Sequence, residues 1–129
     1  RRGADRGIDG IILFREKTDF ANPKLRKIIV QVKGGGANRG DVAKLKGDIK
    51  REDAPMGILI TMREPTAELR REAALAGEYQ YSEAVSFPRI QLLSVHDWFN
   101  GKEVRLPSDR INPFKRAEVK THQPSLLDP

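Results

Sequence analysis

Two apolar strands with polar side chains at matching positions constrain most strongly what this chain can fold into. Residues 8–14 and 27–33 are rich in aliphatic side chains and flank a connection that contains turn-forming Asn and Pro. We therefore predict that they pair as an antiparallel hairpin. Because successive side chains on a strand alternate between its two faces, Gln31 and Lys33 should project to the same side, roughly 7 Å apart. A lysine in so apolar a strand needs an anionic partner.

The register of this hairpin decides which side chains meet. We expect Phe14 to face Lys27. Counting outward then brings Asp9 level with Val32, and directly opposed residues lie about 5 Å apart. One carboxylate, one amide and one ammonium group would then surround a single point. Spacing alone leaves two interpretations open, namely a catalytic cluster or a structural ion pair at a strand end.

Length and composition limit the chain to one small domain. With 129 residues it can bury a single core, and it has no cysteine for disulfides or cysteine-ligated zinc. No apolar run is long enough to span a membrane, so we expect no membrane partner. We place the domain in residues 1–106 and an extended, weakly packed tail in residues 107–129, and we expect both to belong to a larger protein.

Positive charge is concentrated in the first part of the sequence, and the formal net charge is +6. Residues 1–51 hold 14 Lys and Arg against 6 Asp and Glu, a balance of +8. Residues 52–129 hold 10 against 12, a balance of −2. Such asymmetry indicates a nucleic-acid partner, although a solvated basic surface without a ligand also produces it.

Residues 41–51 are predicted to form a helix with a basic exterior. Val42, Leu45 and Ile49 recur at helical spacing and should pack on the sheet. Lys and Arg contacts with DNA phosphates give affinity that falls with salt and reads no sequence. We expect such a ridge to consist of Arg39, Lys44, Lys46, Lys50 and Arg51. An ordinary solvated helix face is the alternative.

The remaining segments alternate between strand and helix. Met56–Thr61 is a nearly continuous apolar run, which is typical of a buried strand. Residues 65–76 should form a helix, since a proline suits its first turn and a glycine follows its end. A strand at 89–95 and a short helix at 96–100 follow. This pattern predicts an α/β, or α+β, layered domain.

Five segments of the chain resemble Mrr-like restriction endonucleases of the PD-(D/E)xK nuclease superfamily. The resemblance covers about residues 3–95, and it is closest to the nuclease-like domain found C-terminally on some N4/N6-type DNA methyltransferases. In that branch the site motif takes the form Asp…Gln-x-Lys. The segments occur in the family's order: GADRGIDG (3–10), VQVKG (30–34), DV (41–42), GILIT (57–61) and AALAGEY (73–79).

The resemblance implies a restriction-endonuclease-like fold and a nuclease site. The fold is a mixed, mostly antiparallel sheet with helices on both faces, in the order helix, three strands, helix, strand. Asp9 matches the metal-binding aspartate, Gln31 the position usually held by a second acid, and Lys33 the catalytic lysine. Mg²⁺ or Mn²⁺ would take the Asp9 carboxylate, the Gln31 amide oxygen and the Val32 backbone carbonyl, because hard cations prefer oxygen ligands.

The implied function is metal-dependent cleavage of double-stranded DNA by a prokaryotic, cytoplasmic restriction–modification enzyme. The implied partner is a methyltransferase domain in the same chain or complex, and a homodimer is left open. Because Gln31 is neutral, this site should bind Mg²⁺ more weakly than a site with two acids. The alternatives are a nuclease-fold module that binds DNA without cutting it for an attached methyltransferase, and an unrelated RNA-binding or assembly protein.

Overall fold

The structure, a computed structural model, describes residues 7–17 and 21–111. Seven strands and three helices lie in this part of the chain. In chain order they are β1 (Gly10–Glu16), β2 (Lys24–Lys33), α1 (Arg39–Arg51), β3 (Met56–Thr61), α2 (Ala67–Ala74), β4 (Glu78–Gln80), β5 (Ser86–Pro88), β6 (Ile90–Ser94), α3 (Val95–Phe99) and β7 (Arg110–Ile111).

Five strands form one mixed sheet in the order β6-β3-β2-β1-β7. β1 is antiparallel to both β2 and β7, whereas β3 is parallel to both β2 and β6. The predicted α+β fold, a restriction-endonuclease-like mixed sheet flanked by helices, is thereby confirmed. Antiparallel pairs do not predominate as the resemblance implied, and the described residues contain two strands before α1 rather than a helix and three strands.

Helices α1 and α2 cover one face of the sheet. The predicted stripe of α1, namely Val42, Leu45 and Ile49, is buried against β2, β3 and β6 in a continuous core. Gly57 of β3 permits the close packing, because a Cβ atom there would stand 2.9 Å from a methyl group of Leu45. This packing fixes the position of α1 over the end of β2.

The other face is covered by the two-stranded β4–β5 sheet rather than by a helix among the described residues. Tyr79, Tyr81 and Phe87 of this segment form a second core with Phe14 and Ile28. The expectation of helices on both faces is therefore wrong for the described part of the chain. Strands of three residues are too short to show a periodicity, so the sequence did not reveal them.

The β1–β2 register differs by one residue from the predicted one. Phe14 lies opposite Arg26 and Gly10 opposite Val30, which places Asp9 across from Gln31. A slip of one residue would turn the side chain of Phe14 to the face that α1 covers. Burial of Phe14 beside Ile28 in the second core selects the observed register.

The chain crosses the second face after α3 to bring β7 to the far edge of the sheet. Val104 and Leu106 pack against the second core, and the Gln91 side-chain amide bonds both the N–H and the carbonyl of Arg105, at 2.8 and 2.9 Å. We call residues 102–109 the strap. Its buried Pro107 and the strand β7 differ from the weakly packed tail expected from residue 107; residues 112–129 lie outside the described part.

Several boundaries also shift. The second helix covers Ala67–Ala74, shorter than the predicted 65–76, and α1 begins two residues earlier than predicted.

Within the described ranges, no helix combines the length and apolarity that crossing a membrane requires.

Candidate functional site

Asp9 ends the β1–β2 ladder. Its backbone N–H donates to the carbonyl of Val30 at 2.9 Å, and its Oδ2 accepts from the N–H of Val32 at 2.7 Å. Backbone groups two residues apart on a strand face the same neighbour, so the Val32 N–H points to where β1 would continue. The carboxylate thus takes the place of a strand carbonyl.

Gln31 is buried beneath α1 and is bonded to a carboxylate that the sequence analysis did not single out. Its Nε2 donates to Oδ2 of Asp48 at 2.5 Å. The carboxylate of Asp48 also forms ion pairs with the ammonium of Lys44 at 3.2 Å and with the guanidinium of Arg51 at 2.8 Å. Only 4% of Asp48 is exposed. A buried charge of this kind persists because it is fully paired.

The surroundings of Asp48 keep it ionised. Burial alone raises the pKa of this carboxyl, but hydrogen bonds from Arg51, Gln31 and Lys44 favour the charged form, and the net shift of the pKa is downward. Its hydrogen bond from Gln31 therefore ties α1 to β2.

Lys33 points to the beginning of α1. Its Nζ lies 3.2 Å from Oδ1 of Asp41, and nearly half of the lysine side chain is exposed. Asp41 belongs to a capping box in which its carboxylate accepts from the N–H of Asn38 at 2.8 Å, while the Asn38 side chain accepts from the N–H of Asp41. Lys33 thus forms an ion pair with a residue that caps α1.

The three predicted site residues therefore have three different partners. Asp9 bonds a backbone N–H, Gln31 bonds Asp48, and Lys33 pairs with Asp41. No group of three His, Cys, Asp or Glu in residues 7–17 and 21–111 is placed to hold a metal ion. One carboxylate, already engaged, and a neutral amide do not suit a hard divalent cation. Binding of Mg²⁺ or Mn²⁺ by Asp9, Gln31 and Val32 stays a prediction without support from this geometry.

The predicted basic ridge is divided into two stripes on opposite flanks of α1. One flank faces α2, where Arg39 lies 3.3 Å from Glu68 and Lys46 lies 3.9 Å from Glu72. Lys50 continues this flank, since it follows Lys46 by one helical turn. The other flank holds Lys44 and Arg51 around Asp48. DNA binding by these five residues stays a prediction.

Arg63 also lies at this edge of the sheet. Its guanidinium packs on the glycine loop that follows β2, 3.4 Å from where a Cβ of Gly36 would stand. A backbone bond from the N–H of Met62 to the carbonyl of Gly35 holds this loop against the end of β3. Arg63 was not predictable, because no sequence pattern distinguishes a single arginine that follows a strand. Asp48 could have been found, since it stands at helical spacing from Lys44 and Arg51.

Comparison with known proteins identifies a family. The model of the family described as NACHT-associated inactive Restriction Endonuclease 1 matches residues 1–93. No match was found among curated proteins or among solved structures. Relationship to restriction endonucleases is confirmed by this match. The assignment to the Mrr-like branch stays a prediction, as does attachment to a methyltransferase.

The family description contradicts the predicted enzymatic activity. We expected a Mg²⁺-dependent deoxyribonuclease of restriction type, whereas the family is described as inactive. The geometry agrees with this description, because the two side chains that would bind the metal are bonded to the N–H of Val32 and to the carboxylate of Asp48. The DNA-cleaving interpretation is therefore wrong for this chain.

Proposed function

The chain belongs to the family of NACHT-associated inactive restriction endonucleases, and from this premise we propose that it binds double-stranded DNA without cutting it. The observation that carries the proposal is how the residues of the nuclease motif are bonded within the protein. The resemblance assigns the motif to Asp9, Gln31 and Lys33, yet Asp9 bonds the N–H of Val32 and Gln31 bonds the buried Asp48. We expect a nuclease fold that has lost its cleavage activity to keep the surface around the former site.

That surface is basic. Four cationic residues surround the end of β2 and the beginning of α1, with Arg39 on the flank of α1 that faces α2 and Lys44 on the other flank: Lys33, Arg39, Lys44 and Arg63. We call them the basic rim. The ammonium of Lys44 reaches beyond the start of β1, where it would stand 2.8 Å from a Cβ of Gly7. More than half of the Arg39 and Lys44 side chains is exposed.

The ion pair of Arg39 does not prevent this residue from binding a phosphate. Arg39 pairs with Glu68 at 3.3 Å, and both side chains are mostly exposed. Exposed pairs contribute about 0.2–1 kcal/mol, so a DNA phosphate can replace the carboxylate at little cost. The excess of 14 Lys and Arg over 6 Asp and Glu in residues 1–51 supports such a partner.

The name of the family suggests the setting of this binding. It associates the domain with NACHT, so we place DNA recognition in a larger assembly that contains a NACHT region. A methyltransferase partner, which the resemblance implied, is the alternative setting.

Fluorescence anisotropy of a short labelled duplex tests the proposal. We expect binding by the whole chain that weakens steeply between about 50 and about 200 mM salt. The double variant Arg39→Ala/Arg63→Ala should bind more weakly and lower the salt slope by about two, since each phosphate contact contributes about one. Arg15→Ala/Lys24→Ala removes two exposed charges at the opposite end of the β1–β2 ladder from Lys33 and serves as the matched control.

Two results would oppose the proposal. Binding that is absent, or that does not respond to salt, would remove DNA as the partner. Mg²⁺-dependent cleavage that disappears in Asp9→Ala would contradict the non-catalytic assignment.

A further inference from the structure

A second basic site lies at the opposite end of α1 from the basic rim. It is an open cleft of about 380 Å³ between the last turn of α1 and the segments that begin β2, β3 and β6. A helix of 13 residues is about 20 Å long, so the cleft is well separated from the nuclease motif.

Four cationic residues and a single acidic residue, Asp53, line the cleft. The cations are Arg26, Lys46, Lys50 and Arg89. Their charges are incompletely used by the protein. Lys46 lies 3.9 Å from Glu72, at the limit of an ion pair, and Lys50 has no ion pair within residues 7–17 and 21–111.

The two arginines are held in place by other contacts. Arg26 donates to Glu16 at 2.9 Å, and Arg89 donates to the carbonyl of Pro55 at 3.4 Å. Glu16 also accepts from the hydroxyl of Tyr79 in the second core, so the Arg26 guanidinium lies on the other face of the sheet. An arginine has five N–H donors, so Arg89 keeps donors for a ligand in the cleft. A fixed arginine loses little conformational entropy when an anion binds.

The floor of the cleft is apolar. Ile49, Ala54 and Pro55 form part of its lining, and all three are buried. Sites for small molecules typically have volumes of roughly 300–1,000 Å³ and combine an apolar lining with a few polar groups. A cationic side beside an apolar floor suits a ligand that carries phosphates at one end and an aromatic ring at the other.

We infer that this cleft binds a nucleotide with two or more phosphates. Lys46, Lys50 and Arg89 hold the phosphates, and the apolar floor takes the base. Phosphates of a DNA backbone share this chemistry, but the apolar floor favours a free nucleotide, whose base can lie against it. The site is independent of the basic rim and does not depend on DNA binding.

Calorimetric titration of the whole chain with ATP, inorganic tripolyphosphate and adenosine tests this inference. We expect binding of ATP, weaker binding of tripolyphosphate, and none of adenosine. Lys50→Ala should weaken ATP binding about tenfold, which corresponds to the loss of one charged hydrogen bond. Asp53→Asn should tighten it about threefold, because it removes the one carboxylate of the lining. Lys102→Ala should change nothing.

The outcomes separate the inference from the proposed function. Loss of ATP binding in Lys50→Ala with DNA binding retained supports the cleft as a distinct site. Binding of duplex DNA in the cleft, recognised as DNA affinity lost in Lys50→Ala without any ATP binding, would overturn the assignment to a nucleotide. Equal ATP affinity of Lys50→Ala and the unchanged protein would overturn it as well.

Discussion

At the scale of the residue, Gln31 shows how a position that the resemblance assigns to the nuclease site can serve the fold. The amide is buried and donates to the ionised Asp48, which has only 4% of its surface exposed. A carboxylate at position 31 would face this charge at hydrogen-bond distance. The amide is therefore required by Asp48, and restoring the second acid of the nuclease motif would conflict with the fold.

Gln31→Glu should destabilise the protein by about 2–3 kcal/mol near pH 7, because two buried carboxylates would share one site. One of the two pKa values must then rise above its unfolded value. A group whose folded pKa is raised stabilises the fold below its unfolded pKa of about 4, and this contribution is lost as pH rises through the folded pKa. The deficit should therefore shrink in acid, as urea unfolding at several pH values can measure.

A matched control for this change is Gln80→Glu, which makes the same substitution at an exposed position of β4. It should alter stability by less than about 0.5 kcal/mol. Equal stability of Gln31→Glu and the unchanged protein near neutral pH would contradict the role assigned to Asp48.

At the scale of the element, α1 carries both candidate sites, one at each end, and its ends are accordingly well defined. The C-terminus is a Schellman motif: the N–H of Asp53 donates to the carbonyl of Lys50 at 3.2 Å, and the N–H of Ala54 donates to that of Ile49 at 2.8 Å. Asp53 has a φ of 54°, in the left-handed region that favours glycine. The helix thus ends on a strained residue that lines the cleft.

Asp53→Gly should raise the free energy of unfolding by about 1 kcal/mol, since a side chain in the left-handed region costs about that much. The thermal midpoint should rise by roughly 4 °C for a domain of this size. Asp53→Ala keeps a Cβ in the same conformation and should give no such gain. A lower midpoint for the glycine variant would show that the aspartate side chain stabilises this turn.

The elements also show what could be predicted. The periodicity of Val42, Leu45 and Ile49 correctly predicted α1 and its buried face, and the apolar run Met56–Thr61 correctly predicted β3. The start of α1 was placed too late, because Asn38 and Asp41 form the capping box around a first turn that contains a glycine. The partners of the site residues were not predictable, since Gln31 and Asp48 are 17 positions apart and meet only after α1 packs on the sheet.

At the scale of the whole molecule, ion pairs join α1 to α2 and surround the buried Asp48. The formal net charge of +6 includes cations of α1 that pair with carboxylates of α2 or with Asp48. Asp48 is the most buried of these acids, and its pKa is lowered in the folded state because its hydrogen bonds outweigh the effect of burial. Stability of the whole domain should therefore depend on pH in the acid range.

A carboxyl whose folded pKa is lowered stabilises the fold above its unfolded value of 3.8, and this contribution is lost as pH falls through the folded pKa. Asp48→Asn should be less stable by about 2–3 kcal/mol near neutral pH, because it leaves Lys44 and Arg51 without their carboxylate. The difference should narrow below pH 3.8. Urea unfolding across this range measures both quantities, and Glu83→Gln, on an exposed loop, is the control. A constant difference at all pH values would contradict the charged role of Asp48.

The strap gives the sheet a property that no single strand has. β6 and β7 are its outermost strands, four strand spacings or about 19 Å apart, and residues 102–109 join them directly across one face. If β6 or β7 separates from its neighbour, the strap, which Gln91 anchors, must therefore move. That movement disturbs the other outer strand. We therefore expect proteases to cleave the domain after it unfolds as a whole, and not to remove its outer strands one at a time.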